Sequence, residues 1–108
     1  MDAYELTEEA GVYRLVLTGR LTYNDHNEIK GIVRHFIDSK AKKVIIDLEK
    51  LMFIDSSAVG MLLIIAEEMR NNNGIMLLEN PQGQVDRVLT TAKIYDLLLT
   101  PHYTGERT

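Results

Sequence analysis

The sequence predicts an α/β fold in which helices pack against a mixed, mostly parallel sheet. Three observations predict it: an opening pair of strand-like segments, helical segments that alternate with short apolar strands, and helices long enough to cross over between parallel strands. The predicted order of elements is β-β-α-β-α-β-α-β. With 108 residues, of which 45% are hydrophobic, the chain is expected to form a single domain over residues 1–108.

The first two strands are predicted over residues 3–7 and 12–18. Apolar side chains alternate along the second segment with the period of two that a strand requires. Residues 8–11, of sequence EEAG, are typical of a turn, so the two strands are expected to form a hairpin. Gly19 is expected to end the second strand.

The pattern then changes to a helical period over residues 24–38. Apolar residues at i, i+3, i+4, i+7 and i+8 form the stripe of an amphipathic helix. Thr22, Asn24 and Asp25 are each suited to cap its first turn. The stripe consists of Ile29, Ile32, Val33, Phe36 and Ile37.

A β-branched run at residues 44–48 predicts a central strand covered on both faces. Residues 49–54 are expected to be a connection into a second helix, which begins at residues 55–57 and extends to Arg70. That helix is unusually apolar, so it is expected to be largely buried. Gly74 is expected to end it in a left-handed cap.

The last third of the chain is predicted to contain a strand, a helix and a final strand. Residues 75–78 form the first of these, and Pro81 suits the first turn of the helix that follows. Apolar residues between 85 and 92 provide the stripe of this helix. Residues 97–99 are predicted as a short strand and residues 103–108 as a frayed tail.

Composition and charge argue against several classes of function. The net charge is −4, and the short basic run at residues 40–43 is interpreted as a solvated loop, so no nucleic-acid partner is expected. The chain has no cysteine, which excludes disulfides and thiolate metal sites. Its longest apolar stretch, residues 61–66, is far too short to span a membrane, and its acidic start is unlike a signal peptide. A soluble cytoplasmic protein without membrane insertion is therefore expected.

No motif for catalysis, a metal or a cofactor is visible. His26, His35 and His102 have no ligand spacing, and the sequence contains neither a nucleophile elbow nor a glycine-rich phosphate loop. The five methionines are interpreted as core residues rather than as a ligand-binding module. We therefore expect no catalytic residue, no metal and no cofactor, and do not expect an enzyme.

Asp55-Ser56-Ser57 stands at a predicted strand-to-helix junction. The first turn of a helix presents unpaired N–H groups and the positive end of the helix dipole, so it favours added negative charge. A serine there can carry a phosphate. All three residues are also good N-caps, and capping alone is the alternative interpretation. Gly60, inside the helix, is expected to allow close approach of a neighbouring element.

Residues 53–62, of sequence FIDSSAVGML, resemble the signature of STAS domains, specifically that of the bacterial anti-sigma factor antagonists. The resemblance also covers LTGRL at residues 17–21 and VIIDL at residues 44–48, and it implies a STAS-like fold for nearly the whole chain. In that family, the serine directly after the aspartate is phosphorylated by a partner kinase. This position is Ser56, with Ser57 as the second candidate.

The sequence departs from the family pattern at three places. Ala58 stands where the family usually has glycine, a form that looks more like a subgroup of stand-alone regulators in two-component pathways. Thr22 stands where an acidic residue is common, and the nearby Asp25 is the candidate substitute. The C-terminal helix that is common in the family is expected to be absent.

The resemblance implies an exchange of binding partners. A serine kinase of histidine-kinase-like fold, often also the sequestering anti-sigma factor, is expected to phosphorylate Ser56, and a PP2C-type phosphatase to reverse this. A downstream effector enzyme is a further expected partner. The residues expected at the contact surface are Thr22, Asp25, Asp55, Ser56, Ser57 and Ala58.

Two alternatives have related architectures. A STAS-type scaffold that is never phosphorylated, beside a transporter or a lipid-transport ATPase, has the same fold. A response-regulator receiver also places an aspartate after a central strand, but receivers open with a strand and an acidic pair rather than with a hairpin. The intact Asp55, Ser56 and Ser57 favour the phosphorylation switch.

Overall fold

The computed structural model describes residues 1–94. The strand predicted over 97–99, His102 and the tail over 103–108 lie outside the described residues. Within residues 1–94 the elements in chain order are β1 (Ala3–Glu9), β2 (Val12–Leu21), α1 (His26–Asp38), β3 (Lys43–Asp47), β4 (Leu51–Ile54), α2 (Ser56–Asn71), β5 (Ile75–Glu79) and α3 (Gly83–Thr91).

Strand β2 is the centre of the sheet. β1 pairs with it antiparallel, β3 pairs parallel with its first half, and β4 pairs parallel with its last residues. β5 pairs parallel with β3. The predicted α/β fold, with a sheet that is parallel apart from the opening hairpin, is confirmed.

β3 and β4 lie in line along the same side of β2. The pairing with β2 begins with Val12 opposite Lys43 and ends with Leu21 opposite Ile54. Residues 48–50, between the two strands, are not paired with β2 in this ladder. β5 covers the far edge of β3 only. The far edge of β4 therefore meets a different element, which is α3.

The end of β2 differs from the prediction by more than two residues, and the existence of β4 differs from it as well. β2 does not end at Gly19 but continues to Leu21, with a shift of register between Gly19 and Arg20. Gly19 permits this because its φ is +92°, and because the Asp2 carboxylate lies where a Cβ would be. Residues 51–54, predicted as part of a connection, form β4 because the extended β2 offers them backbone partners.

The end of α2 also differs from the prediction. Asn73, with a φ of +63°, adopts the left-handed conformation that was expected of Gly74. Gly74 is required for another reason, since a Cβ on it would lie 2.9 Å from the carbonyl oxygen of Ala41. The loops that precede β3 and β5 thus pack backbone against backbone. At Gly60 no atom of another element within residues 1–94 lies within 4 Å of the Cβ position, so the close approach expected there is not made by this part of the chain.

The core lies between one face of the sheet and the helices. Buried and half-buried residues alternate along β2 and β3, as a strand covered mainly on one face requires, so the expectation that the strand at residues 44–48 is covered equally on both faces is wrong. α1 buries its predicted stripe except for the half-buried Ile37, and α2 is largely buried as predicted. Each fully buried large apolar side chain contributes roughly 1.5–3 kcal/mol, so this layer is what holds the helices against the sheet.

Replacing Gly74 with alanine is expected to lower the free energy of unfolding by about 1–3 kcal/mol, because the added methyl group must displace the backbone at Ala41. Urea unfolding followed by circular dichroism measures the change. Gly31 in α1 is the matched control, since a Cβ there would meet no described atom within 4 Å. Gly31→Ala is expected to stabilise the protein by about 0.5–1 kcal/mol through helix propensity. A neutral Gly74→Ala variant would contradict the close packing of the two loops.

Candidate functional site

Asp55 joins the start of α2 to the turn that precedes α1. It is the N-cap residue of α2, and its Oδ1 accepts a hydrogen bond of 2.9 Å from the Ala58 N–H. Its Oδ2 accepts one of 3.1 Å from the Tyr23 N–H. One carboxylate thus satisfies backbone donors from two segments that lie far apart in the sequence, and Asp55 caps α2 as its residue type predicts.

A second carboxylate, that of Asp25, closes the turn formed by residues 22–25. The Thr22 N–H donates to Asp25 Oδ2 over 2.9 Å, and the Asp25 N–H donates to the Thr22 carbonyl oxygen over 2.9 Å. The amino group of Met1 pairs with Asp25 Oδ1. Because residues 23–25 form a 3-10 turn, α1 begins at His26, two residues later than predicted.

The environment of Asp25 acts on its ionisation in two directions. Burial raises the pKa of the carboxyl group. Hydrogen bonds from the Met1 amino group and the Thr22 N–H lower it, and so does the positive charge of the amino group. Together these outweigh burial, so the pKa lies below its usual value. Asp25 is therefore a buried anion held in place by its partners.

Ser56 is the first residue of α2 and its side chain is exposed, whereas Ser57 is half-buried. Within residues 1–94, neither hydroxyl makes a hydrogen bond. The N–H groups of this first turn have no acceptors within the helix, so the electropositive end of α2 lies beside Ser56. A helix start of this kind favours a negatively charged group beside it.

The other residues expected at this site lie at or behind its surface. Ala58 is fully buried, so its methyl group belongs to the core, and its N–H donates to Asp55. Asp25 is buried and holds the turn, and Thr22 is half-buried. The Asp55–Tyr23 hydrogen bond links this turn to the start of α2, so all six expected residues belong to one connected group.

Large exposed side chains that the sequence did not indicate lie on the elements next to this group. Tyr23 is 69% exposed and stacks on His26, with 6.4 Å between the ring centroids. Met52, on β4, is 76% exposed. The Arg20 guanidinium lies 4.3 Å from the centroid of the Phe53 ring on the neighbouring strand. Met52 and Phe53 could not be recognised because β4 was not predicted as a strand, so its outward positions were unknown.

A further missed residue holds the backbone directly before Asp55. The Gln84 side chain, in the first turn of α3, accepts a hydrogen bond from the Ile54 N–H and donates one to the Ile54 carbonyl oxygen, both over 2.9 Å. The amide thus pairs with the far edge of β4 as the backbone of another strand would. A single glutamine on a helix carries no sequence signal for such a contact.

The described side chains offer an exposed hydroxyl at a helix start and a rim of apolar groups. Among residues 1–94 no cluster of three or more histidine, aspartate or glutamate side chains could hold a metal ion. None of the helices in this part of the chain is long and apolar enough to cross a membrane.

Known proteins share sequence features with the chain. A family model described as the STAS domain matches residues 3–106. A STAS-domain containing protein of Pseudomonas aeruginosa, strain UCBPP-PA14, is 24% identical over 96 residues, which cover 89% of this chain and 87% of that protein.

Solved structures share the fold. The anti-sigma factor antagonist SpoIIAA in its unphosphorylated form matches with a TM-score of 0.72 and 25% identity, covering 95% of this chain and 88% of that one. The phosphorylated form of the Bacillus cell fate determinant SpoIIAA matches with a TM-score of 0.72 and 24% identity, covering 94% and 89%. A sulfate transporter family protein from Wolinella succinogenes matches with a TM-score of 0.75 and 18% identity, covering 90% and 79%. The last two are likenesses of fold alone.

Replacing Asp25 with asparagine is expected to lower the free energy of unfolding at neutral pH by about 1–3 kcal/mol, because a paired, buried carboxylate is lost. Since the folded-state pKa of Asp25 is lowered, this stabilisation is complete above about pH 4 and disappears as the pH falls through the lowered pKa. Urea unfolding at a series of pH values should therefore show the gap between wild type and variant closing in acid. Asp38→Asn, at an exposed aspartate, is the control. A gap that does not change with pH would show that Asp25 is not held ionised.

Gln84→Ala is expected to lower the free energy of unfolding by about 1–3 kcal/mol, because both backbone groups of Ile54 lose their partner. Hydrogen exchange at the Ile54 amide should accelerate by about tenfold or more, which corresponds to 1.4 kcal/mol of local opening. The control is Gln82→Ala, because the Gln82 side-chain amide donates to the carbonyl of Asn80, two residues away, and not to β4. Unchanged exchange at Ile54 in Gln84→Ala would rule out this role for Gln84.

Proposed function

Because the chain belongs to the STAS family, we propose that it is a regulatory protein of the anti-sigma factor antagonist type that changes binding partners when Ser56 is phosphorylated and dephosphorylated. The placement of Ser56 carries the proposal: it is an exposed residue at the start of α2, directly after the Asp55 cap. The fold likeness to SpoIIAA supports the same class of function. In this role the chain binds partners and is modified, and it is not itself an enzyme.

Ser56 is favoured over Ser57 as the phosphate acceptor because of its exposure. A kinase must bring the serine Oγ into line with the γ-phosphate of ATP, which requires an accessible hydroxyl. Ser56 is exposed and Ser57 is half-buried in the same turn. Ser57 is therefore the second candidate.

The proposed reactions need a separate kinase and a separate phosphatase. In the first, a bond forms between Ser56 Oγ and the γ-phosphorus of ATP, the bond to the ADP leaving group breaks, and a base of the kinase takes the hydroxyl proton. In the second, water attacks the phosphorus and the serine hydroxyl is restored with release of inorganic phosphate. We propose a kinase of histidine-kinase-like fold that also sequesters a target, a PP2C-type phosphatase, a downstream effector enzyme as a further partner, and action in the cytoplasm.

The proposed switch acts through local charge. A phosphate adds about −1.5 to −2 charges, directly beside the carboxylate of Asp55. A partner must accommodate both anionic groups or dissociate, and a hundredfold loss of affinity requires only about 2.7 kcal/mol. Because Asp55 and Gln84 hold the backbone on either side of this junction, the phosphate is expected to change the surface rather than the fold.

The exposed side chains near Ser56 fit a docking surface. Tyr23 and Met52 are exposed, and aromatic and methionine side chains are enriched where proteins bind one another. Asp55 links Tyr23 to the start of α2 through the Tyr23 N–H. A partner that contacts Tyr23 would therefore lie close to a phosphate on Ser56.

The test is phosphopeptide mass spectrometry of the protein recovered from its native cells. Trypsin releases residues 51–70 as one peptide that contains both serines. Phosphate is expected on Ser56, is expected to be lost in Ser56→Ala, and is expected to persist in the matched control Ser57→Ala. Phosphate retained at the normal level in Ser56→Ala would contradict the assignment.

A scaffold subunit that is never phosphorylated, in a transporter or lipid-transport ATPase complex, is the second candidate. The fold likeness to a sulfate transporter family protein favours it. An unmodified peptide 51–70 under varied growth conditions, recovered together with a transporter or ATPase subunit, would overturn the phosphorylation proposal in favour of this one.

A further inference from the structure

Helices α1 and α2 enclose a surface groove of about 360 Å³ with an apolar floor. Ile29, Val33 and Ile37, which are spaced four residues apart on α1, line the floor together with Met61 of α2. Ile64 stands on the α2 side of the groove and is 51% exposed. An isoleucine so exposed in the middle of a largely buried helix leaves apolar surface that no described residue covers.

One edge of this groove is cationic. Lys30 and Arg34 line it, each one residue after a floor position of α1, and both side chains are exposed. Neither forms an ion pair with any residue among 1–94. The opposite edge carries Glu68. The fixed charges therefore favour a negatively charged occupant along the α1 edge.

The dimensions of the groove match a helix. α1 connects β2 to β3 and α2 connects β4 to β5, and all of these strands are parallel, so both helices run in the same direction. From residue 29 to residue 37 the floor extends about 12 Å, slightly more than two helical turns. This length accommodates the i, i+4 and i+7 side chains with which an amphipathic helix occupies a groove.

We propose that the α1–α2 groove binds an amphipathic helix of a partner protein, with its apolar side chains on the floor and a row of acidic side chains facing Lys30 and Arg34. The spacing of these two cations favours a helix over a fatty acid as the occupant of the groove. They lie on successive turns, about 6 Å apart along α1. This separation matches acidic residues on successive turns of a bound helix, whereas a fatty acid presents a single terminal carboxylate.

The groove is separate from the surface around Ser56. Its lining includes neither Asp55 nor Ser56 nor Ser57, and the two surfaces meet where His26 of the groove stacks on Tyr23. Binding of the acidic helix is therefore expected in unphosphorylated protein and in Ser56→Ala alike. The inference goes beyond the proposed switch and does not depend on it.

The test uses a designed amphipathic peptide with leucines on one face and glutamates along one flank, and a matched peptide with lysine in place of each glutamate. Nitrogen–proton correlation NMR of the full chain reports weak binding as well as strong. The acidic peptide is expected to shift the amide signals of α1 and α2 around the groove, with at least about tenfold tighter binding than the basic peptide.

Two pairs of variants make the test specific. Ile64→Ser and the double variant Lys30→Glu with Arg34→Glu are each expected to weaken binding of the acidic peptide by at least about tenfold. Their controls are Ile75→Ser, at an isoleucine that is 36% exposed outside the groove, and the double variant Lys42→Glu with Lys50→Glu, which changes the net charge equally. The controls are expected to bind as wild type does.

Four results would overturn the proposal. The first is that the acidic peptide does not shift the amide signals around the groove, and the second is that the acidic and basic peptides bind with equal affinity. The third is that decanoate displaces the acidic peptide. The fourth is that these amide signals shift with the concentration of the protein itself and that sedimentation shows a dimer. The third result would assign the groove to a lipid and the fourth to a second copy of the chain.

Discussion

The direction of β2 determines where the rest of the chain is placed. β3 and β4 both run parallel to it and follow one another in line along one side, so the chain crosses back once, through α1, before β3 and reaches the end of β2 again at the end of β4. The helices α1 and α2 consequently begin at the same edge, where β2 and β4 end. The turn at residues 22–25 and the junction at Asp55 are neighbours for this reason, although they are distant in the sequence.

Polar side chains keep that edge rigid. Strand ends and helix starts leave backbone N–H groups without partners, and here two carboxylates and one amide satisfy them: Asp25 for Thr22, Asp55 for Tyr23 and Ala58, and Gln84 for Ile54. The backbone on both sides of Ser56 is therefore fixed by contacts that do not involve the serine. A charge added to Ser56 acts on a surface that is already in place, which suits a reversible signal.

The two proposed binding surfaces differ in how they respond to that charge. The surface around Ser56, with Tyr23 and Met52, contains the modified group itself. The groove between α1 and α2 depends on apolar contact and on Lys30 and Arg34. Since the surfaces meet at His26 and Tyr23, one partner can occupy both, with the groove supplying affinity that phosphorylation leaves unchanged.

Sequence periodicity alone determined the opening hairpin, the three described helices and the parallel character of the sheet, because alternation and helical stripes are local properties of burial. It also singled out Asp55, Ser56 and Ser57, whose residue types suit a helix start. Only the tertiary structure decided the existence of β4, the continuation of β2 past Gly19, the contact that requires Gly74, and the roles of Tyr23 and Gln84. Each of these depends on a partner far away in the chain, such as Gln84 for Ile54 or Ala41 for Gly74. A local pattern of apolar and polar residues does not indicate which distant segment of backbone will lie beside it.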